Sequence, residues 1–191
     1  MKVSILMGSM NKKGNTSTLL KPFVEQLEIQ GISYDYLWLK DYKLEACKSC
    51  FKCQNVEDAP GCSITDEMNG IFKSILDSDC VVLASPIYTW FCTVPMKLVL
   101  DRLFCLNKYY GNTERNNSLL DGKKIAIAST CGYEVEKGAD LFEEAVKRFA
   151  EHARVDYIGM LAVRDVNGIS DFETSEVMNL SKEFAKKIYG E

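Results

Sequence analysis

The chain has 191 residues, 47% hydrophobic and 26% charged, which suits one domain (residues 1–191) with a continuous core and no disulfide support. A formal charge of −4 argues against a nucleic-acid or anionic-membrane partner. The first ten residues lack the apolar length and cleavage site of a secretory signal, and no stretch reaches membrane-spanning length, so a cytoplasmic protein is expected. In that compartment eight cysteines read as thiols or metal ligands rather than a disulfide framework.

In chain order, residues 2–7 form a short apolar β-rich run, the first expected strand. Leu19, Leu20, Phe23, Val24 and Leu27 then recur at helical spacing, followed by a second strand over 33–39 and a weaker helix over 65–76. Residues 80–84 are almost unbroken apolar, and Met96, Val99, Leu100 and Leu103 mark the helix after them. A polar, Asn-rich excursion over 107–123 reads as a surface loop or subunit contact. Beyond it come a strand over 124–129, a helix carrying Leu141, Phe142, Ala145 and Phe149, a strand over 155–162, and a helix carrying Val177, Leu180, Phe184 and Ile188. Unbroken apolar strands between one-faced helices are what a parallel sheet covered on both sides requires. The fold class is therefore α/β, a doubly wound parallel sheet of about five strands with helices on both faces. In such sheets ligands bind beyond the carboxyl ends of the strands, which points to the loops after strands one, three and four.

The first of these loops runs from Gly8 to Thr18 and gathers Ser9, Asn11, Lys13, Asn15, Thr16 and Ser17 just before a helix. A helix N-terminus offers unpaired N–H groups, so such a loop is an anion site in waiting. A plain N-cap needs only one of these side chains. Five residues separate Gly8 from Gly14 and Asn15 follows, which excludes a Walker A loop; no G-x-G-x-x-G is present either. After the third strand, Pro86, Ile87, Tyr88, Thr89, Trp90 and Phe91 place three aromatic residues in a loop. They can pack around a flat ring, lid the core, or meet another subunit. Thr130, Cys131, Gly132 and Tyr133 form a turn after the fourth strand. A phosphate cradle, a planar slot and a second wall are together what FMN requires.

The segments Gly8-Ser9 through Asn15-Thr16, Ser85-Pro86-Ile87-Tyr88, and Lys97 to Asp101-Arg102 resemble the flavodoxin-like NADPH-dependent FMN reductases, especially the branch with the iron–sulfur flavoproteins. The resemblance implies that Ser9, Asn11, Asn15, Thr16 and Ser17 hold the FMN phosphate. Residues 86–91 and 130–133 would flank the ribityl chain and isoalloxazine. Relatives often carry Arg where Asn11 stands, so Lys12 or Lys13 would supply the counter-charge. Also implied are a homo-oligomer and a reaction that moves reducing equivalents from NAD(P)H to a quinone, azo compound, flavin or protein. With a flavin doing the chemistry, no protein acid or base is required; Tyr88 and Tyr133 are the candidate proton donors. The rivals are an electron carrier with no NAD(P)H oxidase activity of its own, and a flavin-free interaction module.

The sharpest local signal is Cys47-x2-Cys50-x2-Cys53-x8-Cys62, between strand two and the second helix and so expected on the flavin rim. Such spacing can bring thiolates to one side of a compact loop. The run resembles that of the iron–sulfur flavoproteins, although its last interval is longer. A [4Fe–4S] cluster, a four-cysteine zinc site and a loop of free thiols all remain open. Pro60-Gly61 would supply the turn that brings Cys62 back. Cys80 and Cys105 read as small core residues, and Cys92 and Cys131 lie near the proposed flavin without an activating partner.

Overall fold

The computed structural model describes residues 1–108 and 117–190. Residues 109–116 of the polar excursion and the final residue of the expected single domain lie outside these. The elements are β1 (Lys2–Met7), α1 (Asn15–Ile29), β2 (Ser33–Trp38), α2 (Met68–Asp77), β3 (Cys80–Pro86), α3 (Val94–Arg102), β4 (Asn107–Lys108) and β5 (Asn117–Ser118). They continue with β6 (Lys124–Cys131), α4 (Val135–Gly138), α5 (Asp140–Ala153), β7 (Asp156–Arg164) and α6 (Ser175–Tyr189). Five parallel strands pair in the order β2-β1-β3-β6-β7, while β4 and β5 form a separate antiparallel ribbon. The expected doubly wound, flavodoxin-like sheet is what forms. Its order reverses at β1, which places the switch point between β1 and β3.

The two-residue period of the strands divides the core. Val3, Ile5 and Met7 of β1, Val82 and Ala84 of β3, and Ala126 and Ala128 of β6 pack beneath α1 and α6. Leu6, Val81, Leu83, Ile125 and Ile127 face the other way, onto α2, α3 and α5. Each of the Val, Ile, Leu and Met side chains among them, taken fully out of water, contributes roughly 1.5–3 kcal/mol. Helix boundaries follow local chemistry. Thr174 caps α6 by accepting from the Val177 N–H at 3.3 Å, and Gly190 ends it in the left-handed region at φ 89°. The α1 start differs: its N-cap is Gly14, with no side-chain cap hydrogen bond.

Candidate functional site

Where β1 ends, the Gly8 N–H donates to the Ala84 carbonyl at 2.7 Å and the Thr93 hydroxyl donates to the Gly8 carbonyl at 2.7 Å. These bonds tie the first loop to the end of β3 and the start of α3. A side chain at Gly8 would place its Cβ 2.8 Å from Thr93 Oγ1 and 3.0 Å from Met96 Cβ, so only glycine fits there unmoved. Beyond it, the Asn11 N–H donates to Ser9 Oγ and the Lys13 N–H to Asn11 Oδ1, which curls the loop back before Gly14. Because no side chain caps α1, its first-turn N–H groups are left for a ligand.

A hollow of about 310 Å³ lies against this helix start, within the range of roughly 300–1,000 Å³ that holds small molecules. Ser9, Asn11, Gly14, Asn15 and Thr16 line it from the first loop, Pro86, Ile87 and Tyr88 from the second, and Thr130, Cys131 and Gly132 from the third. The buried Thr16 and Thr130 hydroxyls meet at 2.9 Å and lock the first loop to the third. One lining residue is absent from the sequence reading. Asp165, just beyond β7, faces the same hollow and accepts from Asn15 Nδ2 at 2.6 Å. A single acid after a strand carries no motif; the signal was that the fifth strand also ends at this rim.

Two of the expected phosphate ligands lie elsewhere. Lys13 and Ser17 line a separate groove across α1 with Tyr36 and Trp38, and the Ser17 hydroxyl turns back to the Gly14 carbonyl at 2.7 Å. Lys12 pairs with Asp41 at 2.5 Å and lies over the Trp38 ring. The curl from Asn11 to Gly14 turns the 12–13 segment outward, so neither lysine lines the hollow as the expected counter-charge.

The second loop makes a tight turn in which Tyr88 and Phe91 exchange both backbone hydrogen bonds. Thr89 and Trp90, its central residues, have φ of 53° and 61°. Two non-glycine residues there, one β-branched, make a strained type I′-like turn. It is held by the Trp90 indole N–H, which donates to the Lys137 carbonyl at 2.9 Å, and by a stack of Trp90 on Tyr133 with centroids 5.5 Å apart at 16°. Thr89, Trp90 and Tyr133 line a second cavity of about 350 Å³ that shares Ile87, Cys131 and Gly132 with the first. Phe91 behaves differently: it packs edge-on against Phe142 and joins the core, which makes it a lid. Burial pushes the Cys131 thiol above its ordinary value, so it remains protonated near neutral pH.

The cysteine run packs elsewhere. Leaving the carboxyl end of β2, it folds back onto the end of α3, where Cys47, Cys50, Cys53 and Cys62 line a small hollow with Arg102, Phe104 and Cys105. The nine residues of α3 rise about 13 Å, which separates this place from Thr93, beside the first loop. The expected shared rim thus describes where the run begins and not where it packs. Gly61 does turn the chain, at φ 66°, and its missing Cβ would lie 2.6 Å from Val56 Cβ. Among the described residues no three candidate ligands are grouped closely enough to hold a metal. The sulfurs are engaged singly: Cys50 Sγ lies 3.2 Å from the Ser63 hydroxyl, Cys53 Sγ accepts from Gln54, and Cys62 Sγ accepts from Arg102 Nη2 at 3.3 Å. The bond to Ser63, helped by the Lys52 backbone N–H, lowers the Cys50 thiol below its ordinary range. Among the described residues the structure supplies thiol donors and a buried guanidinium whose Nε has no partner, chemistry that fits an anionic thiolate-ligated centre, but no preformed cage.

A parallel sheet in this order, with a ligand-sized hollow at the carboxyl ends of its strands, defines a flavodoxin-like domain. The model of the NADPH-dependent FMN reductase family matches residues 1–167, and the chain belongs to that family. An iron–sulfur flavoprotein of Methanocaldococcus jannaschii is 29% identical over 102 residues, 53% of this chain and 51% of that protein. Another, from Archaeoglobus fulgidus, is 31% identical over 103 residues, 54% of this chain and 46% of that protein. The chain thus spans about half the length of these curated relatives. The NAD(P)H:quinone oxidoreductase from Methanothermobacter marburgensis shares the fold with a TM-score of 0.77 at 15% identity, covering 100% of this chain and 98% of that one. Among the described residues no helix is long and apolar enough to cross a membrane.

Proposed function

We propose that the chain is an FMN-dependent oxidoreductase that takes reducing equivalents from NAD(P)H and passes them to a quinone, azo, flavin or protein acceptor. The observation that carries this reading is the pair of adjoining cavities, with an uncapped helix start at one end and an aromatic turn at the other. In this reading the first-turn N–H groups of α1, with Ser9, Asn11 and Asn15, bind the phosphate. The Thr16–Thr130 pair fixes the distance between the phosphate loop and the third loop, and Ile87, Cys131 and Gly132 flank the chain between phosphate and ring. Trp90 and Tyr133 supply a flat apolar wall that excludes water from one side of the ring. FMN held there supplies both two-electron and one-electron transfer, so the protein's task is binding and orientation.

The test is titration of flavin-free protein with FMN, then anaerobic mixing of the complex with NADH or NADPH. Asn15→Ala is expected to weaken FMN binding by about 1.5–3 kcal/mol, the value of a hydrogen bond to a charged group. Failure of the wild type to bind FMN would refute the reading and favour a flavin-free module. Binding without NAD(P)H oxidation would favour a second reading, an electron-transfer protein with FMN and an iron–sulfur cluster. That reading is favoured by the cysteine hollow with its buried Arg102, and by the relatives named iron–sulfur flavoproteins.

A further inference from the structure

Beneath the cysteine run lie two cations that the fold has taken out of water. The Arg102 side chain, at the end of α3, is 1% exposed. One of its terminal nitrogens reaches Asp66 at 2.5 Å and the Glu45 carbonyl at 3.4 Å, the other donates to Cys62 Sγ at 3.3 Å, and Nε has no partner among the described residues. Lys108, in β4, is buried too, and its Nζ donates to the carbonyls of Cys53 and Pro60 at 3.0 and 3.1 Å. Those carbonyls stand at the two ends of the long interval before Cys62. One ammonium therefore draws the two ends of the interval together and sets Cys62 along the same hollow as the other three.

Among the described residues the charges around this hollow do not balance. Asp66 offsets Arg102, while Lys108 has only backbone carbonyls among the described residues. A buried cation is costly unless an anion faces it, and neutral thiols are not anions. Thiolates bound to a metal centre are. We propose that Arg102 and Lys108 are the positioning residues of the cysteine hollow: Lys108 supplies the uncompensated positive charge, and Arg102 the N–H donor to sulfur, with which Cys47, Cys50, Cys53 and Cys62 would hold an anionic iron–sulfur centre. Lys108 sets the loop geometry, and Arg102, through its N–H···S bond to Cys62, raises the potential at which the centre accepts an electron. Uptake of one electron makes a thiolate-ligated cluster more negative by one charge, and hydrogen bonds to its sulfurs favour that state.

The inference rests on the second reading above, and one series of measurements tests both. Wild type, Arg102→Lys and Lys108→Met are reconstituted anaerobically with ferrous iron and sulfide. Iron and FMN per chain, circular dichroism and the cluster midpoint in a dithionite titration followed by paramagnetic resonance are then measured. Wild type is expected to hold about four irons. Arg102→Lys keeps the charge and the Asp66 partner but lacks the fork that reaches Cys62. It should load iron normally with a midpoint lower by at least a tenfold change in the reduction equilibrium, about 59 mV for one electron. Lys108→Met should keep its fold and FMN while losing roughly half or more of its iron, since the ammonium clamp that returns Cys62 to the hollow is gone. Variants indistinguishable from wild type in iron and midpoint would overturn the proposal alone. A wild type that takes up no iron would overturn the reading beneath it, before any substitution is made.

Discussion

Replacing Asp66 by Asn removes one charge from a buried pair and leaves its shape. The Arg102 and Asp66 side chains are 1% and 6% exposed, so the guanidinium would stay in the interior with its charge uncompensated. Removing one partner of such a pair costs about 3–5 kcal/mol, far more than the pair's net worth, because the remaining charge is desolvated. The amide oxygen of the substituted side chain can still accept from the Glu45 or Met68 N–H, as the carboxylate does, so the loss is mainly electrostatic. With a urea slope of about 2 kcal/mol/M, the unfolding midpoint should fall by about 2 M at neutral pH. The sign of the pH dependence follows from the carboxyl. Burial pushes it up, but the Arg102 guanidinium and the Glu45 and Met68 N–H groups outweigh burial and hold it below the usual carboxylate range. A group with a lowered folded value contributes stability above its unfolded value, about 3.9, and loses it as pH falls through the folded one. The gap between wild type and Asp66→Asn should therefore be full at neutral pH and close in acid. Urea unfolding followed by tryptophan fluorescence across that range measures it. A neutral-pH gap under about 1 kcal/mol, the ceiling for exposed pairs, or one that persists in acid, would refute the argument.

Three further outcomes are expected. Gly8→Ala should destabilise the protein by about 1–3 kcal/mol and weaken FMN binding, because the added carbon pushes Thr93 and Met96 off the phosphate loop; calorimetry and flavin quenching both report it. Asp165→Asn removes a negative charge from the rim of the hollow proposed to take the phosphate and should tighten FMN binding; weaker binding would show that Asp165 acts by orienting Asn15. Trp90→Ala should alter the bound flavin's fluorescence and cost about 1–3 kcal/mol for the stack and the bond to Lys137, less any strain released at φ 61°. A change in stability with flavin properties untouched would assign the turn to lidding the core.

The alternation of strand and helix, the apolar faces and the three rim loops are legible in the sequence because each depends on neighbours within a few residues. An unbroken apolar run buries both faces of β3, a run of small polar residues stands where α1 begins, and Pro60-Gly61 favours a turn. Other features needed partners far along the chain. Asp165 reaches Asn15 across 150 positions, Lys108 clamps Cys53 and Pro60, and Arg102 sits between Asp66 and Cys62. Lys13 and Ser17 look like phosphate ligands by composition, and the hydrogen-bonded curl at Asn11 sends them to another face. Phe91 looks like its aromatic neighbours until Phe142 takes it into the core. Local pattern specifies which groups are offered at the rim. Only the packing of distant segments decides which of them share a cavity, since burial and charge pairing depend on what the rest of the chain brings alongside.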